Sequence, residues 1–381
     1  MNMTSLNDIL LKYPNIKIAN EGNDQNILNF FKNIKMETRD LNLRYERGPS
    51  FFSFCKRQSS EFFVFILLND DQSIQGVGSI IILNHLINGE RQKCAYLGDL
   101  RISPILKLSI RIQWKKFYTE IIQNKSHIQE LHQVHSFYTA VLAENLKALN
   151  ALTKNNDQLI YHHLTNYETV SILFHKRWKT IFQKNDFPQK AALSDILEFI
   201  TTRQDKLLSS DRSEINFRLN HWENLQADSF DVYKNSSGEI IFSCAPQIIN
   251  EKKMVISSLK FKHHLLSLIL KIMGLPLIKN NSEIKILYLT HLHFSPKLNQ
   301  IERTKIMQHY LNYILSKKRD FHLISYFNYP NYISPLSAFI SIQTPGYFFQ
   351  VINQQDKTNR QYLDLNLNPE QPFPDFEIGI A

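Results

Sequence analysis

The chain has 381 residues, of which 43% are hydrophobic, 12% aromatic and 21% charged, and its formal net charge is +9. This composition is too apolar for a disordered chain, and the length exceeds the usual size of a single domain. Lys and Arg are spread along the chain rather than gathered into basic runs, so we expect no nucleic-acid partner.

The three cysteines, Cys55, Cys94 and Cys244, have no C-x-x-C spacing, and their odd number argues against a disulfide framework. We therefore expect a reducing, cytoplasmic environment. The N-terminal residues carry no export signal, and the longest apolar run, 265–278, is broken by polar residues, so we expect no membrane span. The few glycines form neither a dinucleotide-binding nor a P-loop pattern, which disfavours both kinds of chemistry.

The hydrophobic pattern of the first half predicts alternating helices and strands. In chain order we predict a helix at 27–34, strands at 62–68, 74–83 and 93–102, a helix ending near 122, a strand at 134–141, a helix at 144–152, and strands at 159–163 and 169–174. Between the first helix and the first strand, the turn 44–52 places charged residues beside aromatic ones. Such a turn is typical of a segment that lies over a pocket, and the alternative is a helix start packed on the core.

One stretch of the sequence occurs twice. YLGDLRISP at 96–104 returns as YLTHLHFSP at 288–296, with apolar residues in alternation as in a strand. Each copy stops at Ser-Pro and precedes an amphipathic helix. A helix start beside a tight loop is a natural anion site, because its first N–H groups lack partners within the helix; the alternative is ordinary α/β scaffolding.

The repeat extends beyond this strand, since ILNFF at 27–31 has a counterpart in ILEFI at 196–200. We therefore predict two domains, 1–177 and 178–381, the second with a polar C-terminal tail. We also expect each domain to build its own sheet around its own copy of the central strand.

The order of elements resembles that of the GNAT superfamily of N-acetyltransferases. LRISP at 100–104 resembles the family's L-x-V-x-P, AENLKA at 143–148 resembles its N-x-x-A helix start, and GVG at 76–78 resembles its third strand. The resemblance covers about 14–175 and, more weakly, 178–352. It implies an α/β (α+β) fold of two tandem GNAT-like domains, each a mixed, mostly antiparallel sheet flanked by helices.

The resemblance also implies a function for the first domain: transfer of an acetyl group from acetyl-CoA to the amine of a small molecule or peptide. In the family a backbone N–H of the central strand polarises the thioester, and the following loop binds the pyrophosphate. The matching cofactor-binding candidates are Leu100, Arg101, Ile102, Lys107, Leu108, Ser109, Ile110, Arg111, Ile112 and Asn145. The candidate acceptor contacts are Arg44, Arg47, Phe51 and Phe52.

The first loop departs from the family's pattern. Lys107, Ile110 and Ile112 stand where members carry Arg or Gln and two glycines. We expect the isoleucine side chains to crowd a phosphate, and Lys107 and Arg111 to supply charge in place of backbone contacts.

The catalytic residues also depart from the pattern, since Leu152 replaces the family's frequent acid, a tyrosine. Asp99 is our candidate for accepting the proton of the acceptor amine, and the alternative is an ion pair with Arg101 or another cation. Tyr138 is a candidate acid.

The second copy differs further, because Glu302 in its loop would repel a phosphate. We therefore expect a degenerate second domain without CoA. Histidine pairs such as His291 and His293 have no third ligand at usable spacing, so we expect no metal. The alternative function for the whole chain is an inactive GNAT-like ligand-binding or protein-interaction module.

Overall fold

The structure is a computed structural model that describes residues 3–34, 36–37, 42–87, 90–153, 158–175, 187–202, 208–258, 280–317 and 320–354. Its α-helices are α1 (Leu6–Leu10), α2 (Asp24–Asn33), α3 (Phe51–Gln58), α4 (Leu108–Gln123), α5 (Leu146–Thr153), α6 (Leu193–Thr201), α7 (Arg212–His221) and α8 (Gln300–Ser316). Its strands are β1 (Ile16–Ile18), β2 (Met36–Glu37), β3 (Asn42–Arg47), β4 (Glu61–Leu68), β5 (Ile74–Ile87), β6 (Glu90–Ile102), β7 (Val134–Leu142), β8 (Leu159–His175), β9 (Leu208–Ser210), β10 (Asp231–Lys234), β11 (Ile240–Ile248), β12 (Lys252–Ser258), β13 (Glu283–Ile284), β14 (Ile286–Phe294), β15 (Leu323–Asn328) and β16 (Phe339–Asn353).

Three sequence expectations concern positions outside the described residues: the domain boundary at 177/178, the apolar run 265–278 and the polar C-terminal tail. Of the helices that the structure describes, none combines the length and the apolar character needed to cross a membrane.

A twelve-stranded sheet forms the centre of the described protein. Its order is β1-β4-β5-β6-β7-β16-β8-β15-β14-β11-β10, and β9 pairs with β5 outside this row. The pairs β6–β7 and β14–β15 are parallel, and the other pairs in this sheet are antiparallel. A smaller sheet has the order β13-β12-β3-β2. The predicted fold class, a mixed and mostly antiparallel sheet flanked by helices, is confirmed.

The sequence repeat corresponds to a repeat in topology. In the first half β6 leads through α4 to its parallel neighbour β7, and in the second half β14 leads through α8 to β15. Parallel neighbours need such a crossover, which explains why each copy of the central strand is followed by a long helix. One local prediction fails: the strands expected at 159–163 and 169–174 are a single strand of 17 residues, β8.

The prediction of a separate sheet for each half is wrong, because β6 and β14 lie in the same sheet. The reason is an exchange of strands between the halves. β16 of the second half lies between β7 and β8, and β8 of the first half pairs with β15. In the same way β9 pairs with β5, and β3 pairs with β12. Four strands of each half therefore find a partner in the other half.

One face of the large sheet carries a hydrophobic core shared by both halves. The helices α2, α3, α6 and α7 contribute Ile27, Phe51, Ile196 and Ile215, all fully buried. On the opposite face α4 and α8 pack in two separate clusters. Burial of such a side chain stabilises a protein by roughly 1.5–3 kcal/mol. The halves cannot separate without exposing this shared core.

Candidate active site

The central strand of the first half is interrupted by a bulge. Val77 of β5 faces Arg101 and Ser79 faces Gly98, so the single residue between them on β5 opposes two on β6, Asp99 and Leu100. Asp99 has a φ of 50°, in the left-handed region that few residues other than glycine adopt. The bulge breaks the predicted alternation, and the Leu100 side chain is 41% exposed.

The second copy repeats this bulge in detail. Ser243 of β11 faces His293 and Ala245 faces Thr290, so one residue of β11 again opposes two residues on the central strand. His291, which occupies the position of Asp99 in the repeat, has a φ of 51°. The symmetry of the two halves therefore includes the backbone conformation of the central strand.

Beside the bulge, β6 and β7 part from each other. Their described parallel pairing ends where Tyr96 faces Tyr138, although both strands continue. One residue further on, Thr139 Oγ1 donates a hydrogen bond to the Leu97 carbonyl over 2.8 Å. A gap between the strand ends thus begins beyond Tyr96 and Tyr138, and the bulge of β6 lies along it.

The bulge residue Asp99 forms a buried ion pair with Arg47 of β3. Arg47 Nη2 and Nε donate to Asp99 Oδ1 over 2.6 and 3.2 Å. The guanidinium also lies 3.9 Å from the ring centroid of Phe54 on α3. Burial, reinforced by the Asp99 charge, raises the pKa of the nearby Cys55 thiol well above its usual value, so this thiol stays neutral. The sequence suggested Arg101 or another cation as a partner for Asp99. The described ion pair is with Arg47, 52 positions away in the sequence.

The turn before α3 is a helix start packed on the core, as the alternative interpretation had it. Phe51 and Phe52 are 0% and 5% exposed, and their N–H groups donate to Asp24 Oδ1 over 2.9 and 3.2 Å. Arg44 forms an ion pair within β3. Of the four predicted acceptor contacts, Arg47 contacts the bulge and the two phenylalanines are core residues.

The loop after β6 leads into a helix start without a side-chain cap. Lys107 is the N-cap residue of α4, and its side chain accepts no bond from the first turn. The first N–H groups of this 16-residue helix are therefore available to an anion. Lys107 Nζ forms an exposed ion pair with Asp70, and Arg111 Nη2 donates to the Pro104 carbonyl over 3.4 Å.

The two isoleucines of the loop lie in different environments. Ile110 is 3% exposed and belongs to the core beneath α4, whereas Ile112 lies on the outer surface at 45% exposure. None of the residues at 103–112, all of them described, has a left-handed backbone. This loop therefore needs no glycine for its conformation.

The corresponding helix start in the second half is closed by its own side chains. Asn299 Oδ1 accepts from the Glu302 N–H over 3.0 Å, and Glu302 Oε2 accepts from the Asn299 N–H over 2.8 Å. This capping box satisfies two N–H groups at the helix start and places the Glu302 carboxylate there, where it would repel an anion. The bulge residue above it, His291, is buried between Trp222 and Phe230, with ring centroids 5.3 and 5.5 Å away.

The remaining cofactor candidates gather at one edge of the sheet. Because β6 and β7 are parallel, the segments that follow them meet there. Arg101 and Ile102 end β6, and Leu108 and Ser109 begin α4. Asn145 follows β7, and its Oδ1 accepts from the Ala148 N–H over 3.2 Å, at the start of α5.

Tyr138 lies beneath the gap in an aromatic cluster. Its hydroxyl is 3.0 Å from His85 Nε2, and its ring centroid is 5.5 Å from that of Tyr96 and 5.3 Å from that of Phe348. Burial raises the pKa of Tyr138 well above its usual value, so the hydroxyl keeps its proton. Among the described residues, no group of three or more His, Cys, Asp or Glu is placed to hold a metal ion.

This mixed sheet, whose central parallel strands part next to a helix start, has the same overall fold as solved structures of acyltransferases. The chain is similar to Saccharomyces cerevisiae N-myristoyltransferase with bound myristoyl-CoA, with 11% identity, coverage of 92% of this chain and 86% of that one, and a TM-score of 0.55. A structure of that enzyme with myristoyl-CoA and inhibitors is similar at 12% identity. It covers 93% of this chain and 84% of that one, with a TM-score of 0.54.

A GCN5-related glucosamine N-acetyltransferase region of a fungal multi-domain GH3 β-N-acetylglucosaminidase is similar at 11% identity over 88% of this chain and 38% of that one, with a TM-score of 0.52. No family model and no curated protein matches the sequence. At these identities the likeness establishes the fold.

Proposed function

We propose that the protein is an acyl-CoA-dependent N-acyltransferase that moves an acetyl group from acetyl-CoA to the amine of a small molecule or peptide. The observation that carries this proposal is the difference between the two halves. Both have the bulged central strand, but the helix start is uncapped beside the first and closed by a capping box beside the second. We therefore place the site in the N-terminal half.

In this proposal the CoA phosphates lie at the start of α4. The first N–H groups of the helix and its positive dipole end favour an anion there. Lys107 and Arg111 add charge at the same place. The pantetheine arm runs along the gap between β6 and β7, and a backbone N–H of the bulge polarises the thioester carbonyl.

The reaction then needs one proton acceptor. The amine nitrogen attacks the thioester carbon, a C–N bond forms, the C–S bond breaks and CoA leaves as the thiolate. We propose that Asp99 accepts the proton of the amine through Oδ2, because the described ion pair with Arg47 uses Oδ1. The role of Tyr138 as the acid that protonates the thiolate stays a prediction, since its described hydrogen bond goes to His85 below the gap.

A second candidate function is a binding module without chemistry. The buried Arg47–Asp99 pair favours it, because an ion pair between β3 and the bulge gives Asp99 a structural role that needs no chemistry. Both candidates predict CoA binding. Transfer of radiolabelled acetyl groups to a panel of amines and peptides separates them, because the module would bind acetyl-CoA and label no acceptor.

Replacement of both Lys107 and Arg111 by Ala is expected to weaken acetyl-CoA binding at least about tenfold, since a charge-assisted hydrogen bond contributes roughly 1.5–3 kcal/mol. Calorimetric titration with acetyl-CoA measures the change. The matched control is Lys297→Ala, which removes an exposed cation from the corresponding loop of the second half and is expected to leave the affinity unchanged. Equal losses in the two variants would argue against a site at α4.

A further inference from the structure

The gap between β6 and β7 ends on a packed group of rings, which we call the aromatic floor: Tyr96, Tyr138 and Phe348. These side chains are 8%, 2% and 1% exposed. Their ring centroids lie 5.5 Å apart for Tyr96 and Tyr138 and 5.3 Å apart for Tyr138 and Phe348. Interiors packed in this way hold few voids larger than a water molecule.

His85 fixes the central ring of the floor. Its Nε2 lies 3.0 Å from the Tyr138 hydroxyl, and the two rings meet edge to face with centroids 5.8 Å apart. His85 is itself 2% exposed. A hydrogen bond between two buried side chains opposes rotation of Tyr138, because turning the ring would break it.

The direction of the bound cofactor follows from the positions of its two ends. Phosphates at the start of α4 lie beyond the end of β6, on the open side of the gap. The pantetheine arm then points back along β6 towards the place where the strands pair. The acyl group, at the far end of that arm, faces the last paired residues, Tyr96 and Tyr138.

The opposite face of the sheet is filled as well. A Cβ atom at Gly78 of β5 would lie 2.4 Å from the Tyr118 hydroxyl and 3.1 Å from the Trp114 ring, so these α4 side chains lie directly against the strand. Above the floor, the Thr139 hydroxyl donates a hydrogen bond to the Leu97 carbonyl over 2.8 Å and so bridges the gap. A long acyl chain would have to displace packed groups on either face.

We infer that the aromatic floor restricts the donor to short acyl groups and that Tyr138, held by His85, is the residue that sets this limit. The inference rests on the proposed function, because it assumes that the acyl-CoA lies in the gap. It assigns Tyr138 to substrate selection through the volume of its ring. A preference for short acyl groups would also distinguish this chain from the similar enzyme solved with bound myristoyl-CoA.

The test compares the binding of acetyl-CoA and octanoyl-CoA by calorimetry, which needs no acceptor. The unmodified protein is expected to bind octanoyl-CoA at least about tenfold more weakly than acetyl-CoA. Tyr138→Ala removes the central ring and leaves a cavity next to the acyl group, so it is expected to change this ratio at least about tenfold in favour of octanoyl-CoA. Phe348→Leu, a milder change in the same floor, is expected to move the ratio in the same direction should Tyr138→Ala fail to fold.

The matched control is Tyr326→Ala, which removes an equally buried ring from the core of the second half and is expected to leave the ratio unchanged. Octanoyl-CoA that binds the unmodified protein as tightly as acetyl-CoA would overturn the inference, as would a ratio that neither floor variant moves. Absence of binding for both cofactors would instead refute the proposed function, so the two failures are distinguishable.

Discussion

A fragment comprising residues 1–177 is expected to aggregate rather than fold. In the complete chain β16 pairs with both β7 and β8, and its register with β8 runs from Phe339 facing His175 to Asn353 facing Leu159. The fragment lacks β16, β15, β12 and β9, so four of its strands lose a partner from the second half. It also lacks α6 and α7 and exposes the apolar residues of the shared core.

Size-exclusion chromatography and circular dichroism of the fragment measure this outcome. The control is co-expression of 1–177 with 178–381, which restores all exchanged strands and is expected to give a soluble complex. A soluble, folded fragment 1–177 that binds acetyl-CoA like the complete chain would show that the strand exchange is dispensable.

Replacement of Arg47 by Ala is expected to destabilise the protein by roughly 3–5 kcal/mol, because it leaves the Asp99 carboxylate buried without its partner. Asp99 is 5% exposed, so water cannot compensate for the lost charge. The change also removes the side chain that holds the left-handed residue of the bulge, so acetyl-CoA binding is expected to weaken with it. Urea unfolding measures the loss in the free energy of unfolding.

A double-mutant cycle identifies the cause. With Asp99→Ala added to Arg47→Ala, the total loss is expected to be clearly smaller than the sum of the two single losses, because no unpaired charge remains. Additive losses, or a loss below about 1 kcal/mol for Arg47→Ala alone, would show that the pair does not hold the bulge.

Local features of the fold were predictable from the sequence. The strands β4, β5, β6 and β7 and the helices α2 and α4 follow from hydrophobic period, because each buries one face against a neighbour. The repeat of Tyr96–Leu97 as Tyr288–Leu289 correctly indicated two copies of the central strand. These signals lie within single helices and strands, where the spacing of residues along the chain determines which side chains share a face.

The strand exchange was not predictable, because a strand pairs with any strand of suitable alternation and nothing local in β16 selects β7 and β8 over the strands of its own half. The bulge was missed for another reason: both left-handed positions carry a side chain, Asp99 and His291, where a glycine would have given a signal. The Arg47–Asp99 pair joins residues that are far apart in sequence. Phe51 and Phe52 show that aromatic residues at a turn do not by themselves distinguish a pocket from a helix packed on the core.

We propose that one half of a symmetric fold holds the acyl-CoA, and a crystal structure of the protein soaked with acetyl-CoA shows where the cofactor lies. We expect density for the phosphates at the start of α4, between Pro104 and Arg111, and density for the thioester beside Asp99. The start of α8, at 299–304, is expected to stay empty, because the Asn299–Glu302 capping box occupies it and the Glu302 carboxylate would repel a phosphate. Phosphate density at α8, or acetyl-CoA density away from the gap between β6 and β7, would refute the placement of the site in the N-terminal half.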